Sequence, residues 1–412
     1  MRRSARSRLP ALLGIALALS ACAPAGATAS AAPDPADWPG VLTAARGQTL
    51  DWYMYTGDEA VNGVVEGYLS PRLAEEFGVT LNVVPVADTA DAVNKVLAER
   101  QAGRAGSGTV DAIWINGENF ATGRQADLWA CGYPEALPNA RYVDLTDPAV
   151  ATDFGTPVDG CEAAWQQASS ALVYDSAQLG PGDVGSLTAL ADWARANPGR
   201  FTYPAPPDFT GAMVVRTFLY DTAADPSALA GTFDPAVLDP LATELWARLD
   251  ALEPALWRAG ETYPTSQDAT EQLYATGEVA AFFSYGPGTV AAKVADGTFP
   301  ATTRTAVPDV GNIANTSYLA IPADAADRAA AMVLADTLQD PRTQLRFYAD
   351  GGIYPVIDLD RLPADLRAEF DAVALGPAVL PLDELTARVL PELDTGYAEA
   401  VEDGWTAEVL QR

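Results

Sequence analysis

Apolar positions recur along this chain in short blocks that alternate between two periods. "TLDWYMY" (49–55) is an apolar and aromatic run closed by Thr56-Gly57-Asp58, which predicts a strand. Val61, Val64, Val65, Tyr68, Leu69 and Leu73 follow at helical spacing. "VTLNVVPVA" (79–87) predicts a second strand, Thr89 opens a helix through Val93, Val96 and Leu97, and "VDAIWI" (110–115) predicts a third strand. The order β-α-β-α-β calls for a parallel sheet with right-handed crossovers. Ligands of such sheets bind beyond the carboxyl ends of the strands. Thr56-Gly57-Asp58 and Asn116-Gly117-Glu118-Asn119 both leave strands at that edge, so they are expected close in space.

The pattern then restarts. "SALVYD" (170–175) predicts a strand, "LTALADWARA" (187–196) a helix and "RFTYP" (200–204) a strand; the loop "APPDFTG" leads to a helix from near Ala212. "EVAAFFSY" (278–285) predicts a buried strand, with a helix in the "GPGTVAAKVADG" that follows. "NTSYLAIP" (315–322) and "DAADRAAAMVLADTLQD" (324–340) add a strand and an Ala-rich helix. A second α/β unit therefore follows the first, with no sequence repeat between them. Gly286-Pro287-Gly288-Thr289-Val290-Ala291 matches G-x-G-x-x-A, but its central Pro and the lack of an acidic strand end beyond it favour a tight turn lining a cleft over a dinucleotide site.

Composition changes this picture by exclusion. At 412 residues, 49% of them apolar, the chain can bury the cores of two domains. It contains no His, and its lysines are Lys95 and Lys293, neither three residues after a Ser. Ser-His-Asp and Cys-His catalysis, imidazole metal sites and S-x-x-K nucleophiles are thereby removed. No G-x-S-x-G elbow or G-x-x-x-x-G-K-[ST] loop occurs. Enzyme chemistry is reduced mainly to paired carboxylates, for which Asp58 and Glu118 are the glycosidase-like candidates. The formal charge of −30 argues against nucleic acid and anionic lipid as partners.

The N-terminus reads as an address. Arg2, Arg3, Arg6 and Arg8 precede "LPALLGIALAL" and then Ser20-Ala21-Cys22, the form of a signal peptide whose apolar stretch is too short to span a bilayer. Leu19 to Cys22 resembles a bacterial lipobox, with Cys22 lipidated and becoming the mature N-terminus; an ordinary signal with an incidental Cys is the plainer alternative. "APAGATASAAPDPAD" reads as a flexible tether, giving a leader over 1–22 and a tether over 23–45. Loss of the leader would remove four Arg and no acid, taking the charge from −30 to −34. Cys131 and Cys161 remain as a pair in an exported chain, so a disulfide is expected, with two free buried thiols as the alternative.

"WINGENF" (114–120), "LPNARYVD" (137–144), "LYATGEVAAFFSYGPG" (273–288), "NTSYLAIP" (315–322) and "GGIYPV" (351–356) together resemble bacterial ABC-transporter solute-binding lipoproteins of the YnjB-like group. The resemblance covers nearly all of the mature chain, and the order of the motifs is more specific than any one of them. It implies an α/β, two-lobed, type II periplasmic-binding-protein-like fold with a ligand cleft between the lobes. Lobe one would be 46–167 with 306–360 and lobe two 168–305, with C-terminal helices (361–412) across or beside the hinge. The crossings would be 165–175 and 303–311. The implied protein is a monomer without cofactor, metal or catalytic residues, lipid-anchored outside the cytoplasmic membrane. It would capture a small solute and dock on an ABC permease driven by a separate ATPase. A non-transporting scaffold lipoprotein is the other class.

The candidate wall runs from Trp114 to Asn119: Glu118 and the amides of Asn116 and Asn119 offer acceptors, and Gly117 lets the backbone come near a solute. Tyr55, Trp114, Trp165, Tyr285, Tyr318 and Tyr354 lie at strand ends or crossings, where each either stacks on a solute or fills a core. Thr56 and Asp58 join them, Asp58 with helix capping as its alternative. Ser284 precedes Tyr285 on the same wall. Thr210, before Gly211 at a helix start, is a candidate anion holder or a solvated helix end. Carboxylates beside aromatic faces favour a thiamine-like or polyamine-like cation over an oxyanion or a sugar. Replacing Cys22 with Ser is expected to shift the exported protein from the membrane to the soluble fraction on cell fractionation; unchanged membrane retention would refute the lipobox.

Overall fold

Two sheets organise the chain, and the path between them decides where a cleft can lie. The computed structural model describes residues 33–411 except Ala87, Asn116, Leu375 and Thr386. The leader, Cys22, most of the tether and Asn116 therefore lie outside the described residues.

The strands in chain order are β1 (Thr49–Tyr55), β2 (Thr80–Val86), β3 (Ala112–Ile115), β4 (Thr152–Asp153), β5 (Thr156–Pro157), β6 (Glu162–Ser169), β7 (Ala171–Asp175), β8 (Ala281–Ser284), β9 (Thr303–Ala306), β10 (Asn312–Ala320) and β11 (Val389–Leu390). The first sheet runs β11-β10-β3-β1-β2, with β6 also paired to β10. β1 is parallel to both β2 and β3, as the β-α-β-α-β pattern requires. β10 then joins β3 and β6 antiparallel. In the second sheet β7 is flanked antiparallel by β8 and β9.

Alternation along β1 sends Leu50, Trp52 and Met54 into one core and Tyr53 to the opposite face. The first core lies under the Ala-rich helix Arg328–Gln339 and includes Trp165 and Leu319; the second gathers Ile113, Ile115, Phe120 and Tyr318 with Val93 and Val96. The second sheet packs under the helices Leu187–Ala196, Phe209–Thr222 and Pro235–Leu252. Residues 361–412 were expected across or beside the hinge, and their packing is divided between the two bodies. Phe370 and Leu385 join a core of the first body, whereas Leu393, Tyr397, Val401 and Trp405 enter that of the second. Trp405 donates its indole N–H to Tyr203 Oη at 3.2 Å there.

Only one residue, Ser170, separates β6 from β7, and 307–311 join β9 to β10. The two connections run side by side, since Ala314 pairs with Ser169 and Leu172 with Ala306. The predicted strand at 200–204 is reduced to one bridge between Phe201 and Ala281. Its ladder fails because the Phe201 carbonyl accepts from Trp257 N–H at 2.9 Å and Pro204 has no N–H to give. The helix expected from Ala212 begins earlier, at Phe209, because Asp208 caps it.

Among the described residues no helix is long and apolar enough to cross a membrane. Cys131 and Cys161 are bonded to each other across 30 residues of sequence. Closing a loop of that size stabilises by about 3 kcal/mol in the chain-entropy account. A Cys131→Ser/Cys161→Ser variant is therefore expected to lose about that much unfolding free energy in urea titrations, and non-reducing peptide mapping of the wild type should recover the linked pair. Alkylation of both thiols without prior reduction would contradict the bridge.

Candidate functional site

β1 and β3 end side by side, with Tyr53 in register with Ile113, so their following turns share one sheet edge. Asp58 caps the helix Glu59–Val64 by accepting from Ala60 N at 2.9 Å and Val61 N at 3.1 Å. Asn62 Nδ2 ties back to the Thr56 carbonyl at 2.8 Å. The Tyr55 ring lies over Gly57, where a Cβ would fall 1.9 Å from the phenol oxygen. Tyr55 is 46% exposed. Desolvation, then Asp268, Asp58, Glu271 and Asp208, push its phenol up to about 12. Three of those acids belong to the second body, where Lys293 bonds to Glu271. Tyr55 therefore faces an acidic wall across the gap.

Gly117 sits at φ 64°, ψ −137°, a backbone region open in practice to glycine alone. Its N–H donates to Asp153 Oδ2 at 2.6 Å. A Cβ placed on the same glycine would fall 3.3 Å from the Phe154 ring. From the β4-β5 turn that ring reaches the second body: its centroid is 5.6 Å from the Arg216 guanidinium and 6.2 Å from Phe209. Phe209, 43% exposed at the start of its helix, lies 5.0 Å from Tyr285. Tyr285 in turn donates its hydroxyl to Glu392. Three aromatic rings thus bridge the two bodies.

Beneath the bridge Arg216 is 1% exposed, 3.1 Å from Glu392 Oε2 and 3.8 Å from Glu402 Oε1. Burial opposes its charge, but Glu392, Tyr285 and Glu402 outweigh it and hold the guanidinium above its ordinary value. Glu402, Glu118 and Asp153 are raised as well, which for a carboxyl favours the neutral form. Desolvation raises Glu402 to about 7, with Arg216 only partly offsetting it and Glu118 adding to it. Glu118 is open to solvent on one side, yet desolvation, then Glu399 and Asp88, raise it too. Burial takes Asp153 to about 8 despite the Gly117 N–H. One guanidinium among so many carboxyls leaves the gap acidic.

Of the residues expected on the wall, Tyr55, Asp58, Glu118 and Tyr285 come to the gap, with Asn119 on the same helical turn as Glu118. Thr56 contributes its carbonyl to local structure. Others need correction. Trp165 is buried among Trp52, Trp114 and Phe347, because β6 is covered on both faces along this stretch. Trp114 is half-buried, 4.9 Å from it in the same core. Tyr318 is buried with its hydroxyl on the carbonyls of Val150 and Thr152. Thr210 and Gly211 give their N–H groups to Asp208 Oδ1 at 3.0 and 2.9 Å, so the helix start already holds a carboxylate of its own chain. Ser284 is buried and accepts from Gly286 N at 3.1 Å. Asp58, half of the carboxylate pair considered for glycoside chemistry, is occupied as a helix cap.

Sequence reasoning missed Asp153, Phe154, Phe209, Arg216, Glu392 and Glu402. Arg216 left a signal: a lone cation inside the apolar helix "GAMVVRTFLY" (211–220) has to find buried acids. Phe154 left none, since a single aromatic in a short turn looks like any loop residue.

A family model described as bacterial extracellular solute-binding protein matches residues 70–363. Protein YnjB of Escherichia coli (strain K12) is 35% identical over 372 residues, covering 90% of this chain and 93% of that protein. The spermidine/putrescine ABC transporter substrate-binding protein PotD from Streptococcus pneumoniae strain Canada MDR_19A aligns with a TM-score of 0.60 at 14% identity, over 88% of this chain and 98% of its own. A periplasmic thiamin binding protein aligns with a TM-score of 0.55 at 16% identity, over 88% and 96%. At such identities the structures speak for the fold, which is that of the α/β, two-lobed type II periplasmic binding proteins.

A carboxyl whose folded pKa lies above its unfolded value binds its proton more tightly in the folded state, so stability is highest below the unfolded value and falls as pH rises. With Glu402 near 7 and Asp153 near 8, the urea midpoint is expected to decline through the neutral range. Asp153→Asn should flatten that decline. A midpoint that climbs from about pH 5 to about pH 8 would contradict the assignment.

Proposed function

Because this chain belongs to the family of bacterial extracellular solute-binding proteins, we propose that it captures a small cationic or nitrogen-containing organic solute between its two bodies. It delivers that solute to an ABC permease powered by a separate ATPase. The bodies act as lobes, 46–167 with 306–360 against 168–305, turning about the paired crossings. The chain works as a monomer held by a lipid on Cys22 at the outer face of the cytoplasmic membrane.

The observation that carries the solute class is the acid-rich aromatic gap. Glu118 and Glu399 both act on Glu402, and Asp58, Asp208, Asp268 and Glu271 all act on Tyr55. The two cations facing them, Arg216 and Lys293, are each already paired with Glu. An oxyanion would have to win Arg216 from two carboxylates, whereas a cation replaces water beside Glu118 and Glu399, which form no ion pair among the described residues. Relatives in fold that are named for spermidine/putrescine and for thiamin make those two chemistries the first to try.

A ligand at about 100 times its dissociation constant adds about 2.7 kcal/mol of stability. Thermal unfolding with spermidine, thiamine, choline-like amines, sulfate, phosphonates and sugars therefore sorts the classes. Stabilisation by an amine, weakened in Glu118→Gln, is the expected result. An oxyanion acting alone, with the same effect in Glu118→Gln, would overturn the cationic reading and leave solute capture standing.

A further inference from the structure

We propose that Asp153 is a positioning residue of the cleft, locking the Gly117 loop to the β4-β5 turn so that the Phe154 ring meets Arg216 and Phe209 on the facing body. The inference rests on the gap being the solute site, and it assigns its shape to a carboxyl on the floor of one wall.

The geometry has three parts. Asp153 is 2% exposed, and its Oδ2 accepts the Gly117 N–H, a donor that is itself buried and would otherwise lack a partner. Gly117 then lies flat against Phe154, the residue after Asp153, so one hydrogen bond sets both the loop and the ring. Phe154 has φ 44°, a conformation an aromatic residue keeps only when its surroundings hold it. The turn itself is short: Thr152 pairs with Pro157 and Asp153 with Thr156, and the Tyr318 hydroxyl ties its Thr152 end to β10 while the tip is left to the Asp153–Gly117 bond and the Phe154 contacts.

The groups that face Asp153 are acidic or neutral. Glu162 on β6 is 1% exposed and has neither carboxyl oxygen bonded. Tyr318 on β10 turns its hydroxyl to the carbonyls at 150 and 152, and Glu392 approaches from the C-terminal segment. Arg124 acts on Glu162 rather than on Asp153, Asp147 lies towards Tyr318, and Arg216 meets Phe154. Among the described residues no ion pair reaches Asp153 or Glu162. Asp153 therefore keeps a proton into the neutral range while its other oxygen serves Gly117. When it ionises, the Gly117 bond becomes charge-assisted and stronger, but a bare charge is set beside Glu162 and Glu392. Asparagine offers the same acceptor without the titration, and alanine offers neither.

Glycine 15N labelling combined with 13C-carbonyl asparagine narrows the 33 glycine amides to Gly63 and Gly117, the two that follow Asn, and Gly63→Ala then leaves the signal of Gly117. In wild type its resonance should move with pH across the neutral range, and in Asp153→Asn it should stay still. Gly117 amide exchange should be similar in those two proteins and about tenfold or more faster in Asp153→Ala. With spermidine as the calorimetric probe, Asp153→Ala should lose about tenfold or more in affinity and Asp153→Asn no more than about threefold. A Gly117 resonance unmoved by pH in wild type, or exchange and affinity unchanged in Asp153→Ala, would overturn the proposal. Equal loss of affinity in both variants would also overturn it, because it would point to charge in place of position. Should Asp153→Ala fail to fold, the Asp153→Asn titration decides. If spermidine does not bind wild type, the polyamine reading fails, and the Gly117 titration and exchange still decide the role of Asp153.

Discussion

The antiparallel pairing of β6 with β10 is the constraint on which the two-body arrangement depends. Each strand belongs to the first sheet, and each runs within a few residues into or out of the second. Backbone hydrogen bonds from Ala314 and Ser169 to Ala320 and Glu162 fasten the connections to one another on the first body. The Leu172 to Ala306 pairing does so on the second. Between these ladders lie Ser170 on one strand and 307–311 on the other, and the C-terminal segment crosses beside them where β11 pairs with β10.

Acidity divides into two roles. Many aspartates are helix caps: Asp37, Asp58, Asp88, Asp208, Asp234 and Asp394 each accept a backbone N–H at a helix start. Each such cap is worth about 1 kcal/mol and needs no cation. Asp58 and Asp208 also act on Tyr55 and are raised by desolvation, as are Glu118, Asp153 and Glu402. A net charge of −30 is therefore poor evidence about a solute taken alone, since much of it caps helices.

The first sheet was largely legible from sequence because apolar alternation and helical spacing are local signals. β1, β2, β3, β7 and β10 and the helices Thr89–Gln101, Leu187–Ala196 and Arg328–Gln339 lie where those signals put them, to within a few residues. β6 was seen only as a crossing, since "EAAWQQAS" has no clear period of two; it is buried on both faces through its first five residues. The candidate site was legible only at its first wall. Tyr55, Asp58 and Glu118 follow strand ends, and topology says where strand ends go. Arg216, Glu392 and Phe154 come together through tertiary contacts between segments over 170 residues apart at the extreme. Trp165 and Tyr318 mislead for the opposite reason: an aromatic on a crossing strand looks the same in sequence whether it faces the gap or the helices behind.

The G-x-G-x-x-A match finds its explanation at another contact between the bodies. Gly288, in the first turn of the helix Pro287–Ala295, lies so near Gly352 that a Cβ would fall 2.1 Å from the Gly352 carbonyl oxygen. Gly352 ends the helix Pro341–Gly351 in the left-handed conformation at φ 67°. Two glycines thus let a helix start of one body touch a helix end of the other, backbone to backbone. The contact requires small residues for approach, the same requirement that a phosphate loop imposes, so the motif alone cannot separate the two. What separates them is the neighbour: here the space a phosphate would occupy beside Gly288 is filled by the chain's own carbonyl. A side chain at either glycine would wedge the bodies apart at that point, while Phe154 and Phe209 hold them together at another. The gap is therefore shaped from both directions, by a small-residue contact that limits its width and an aromatic bridge that spans it.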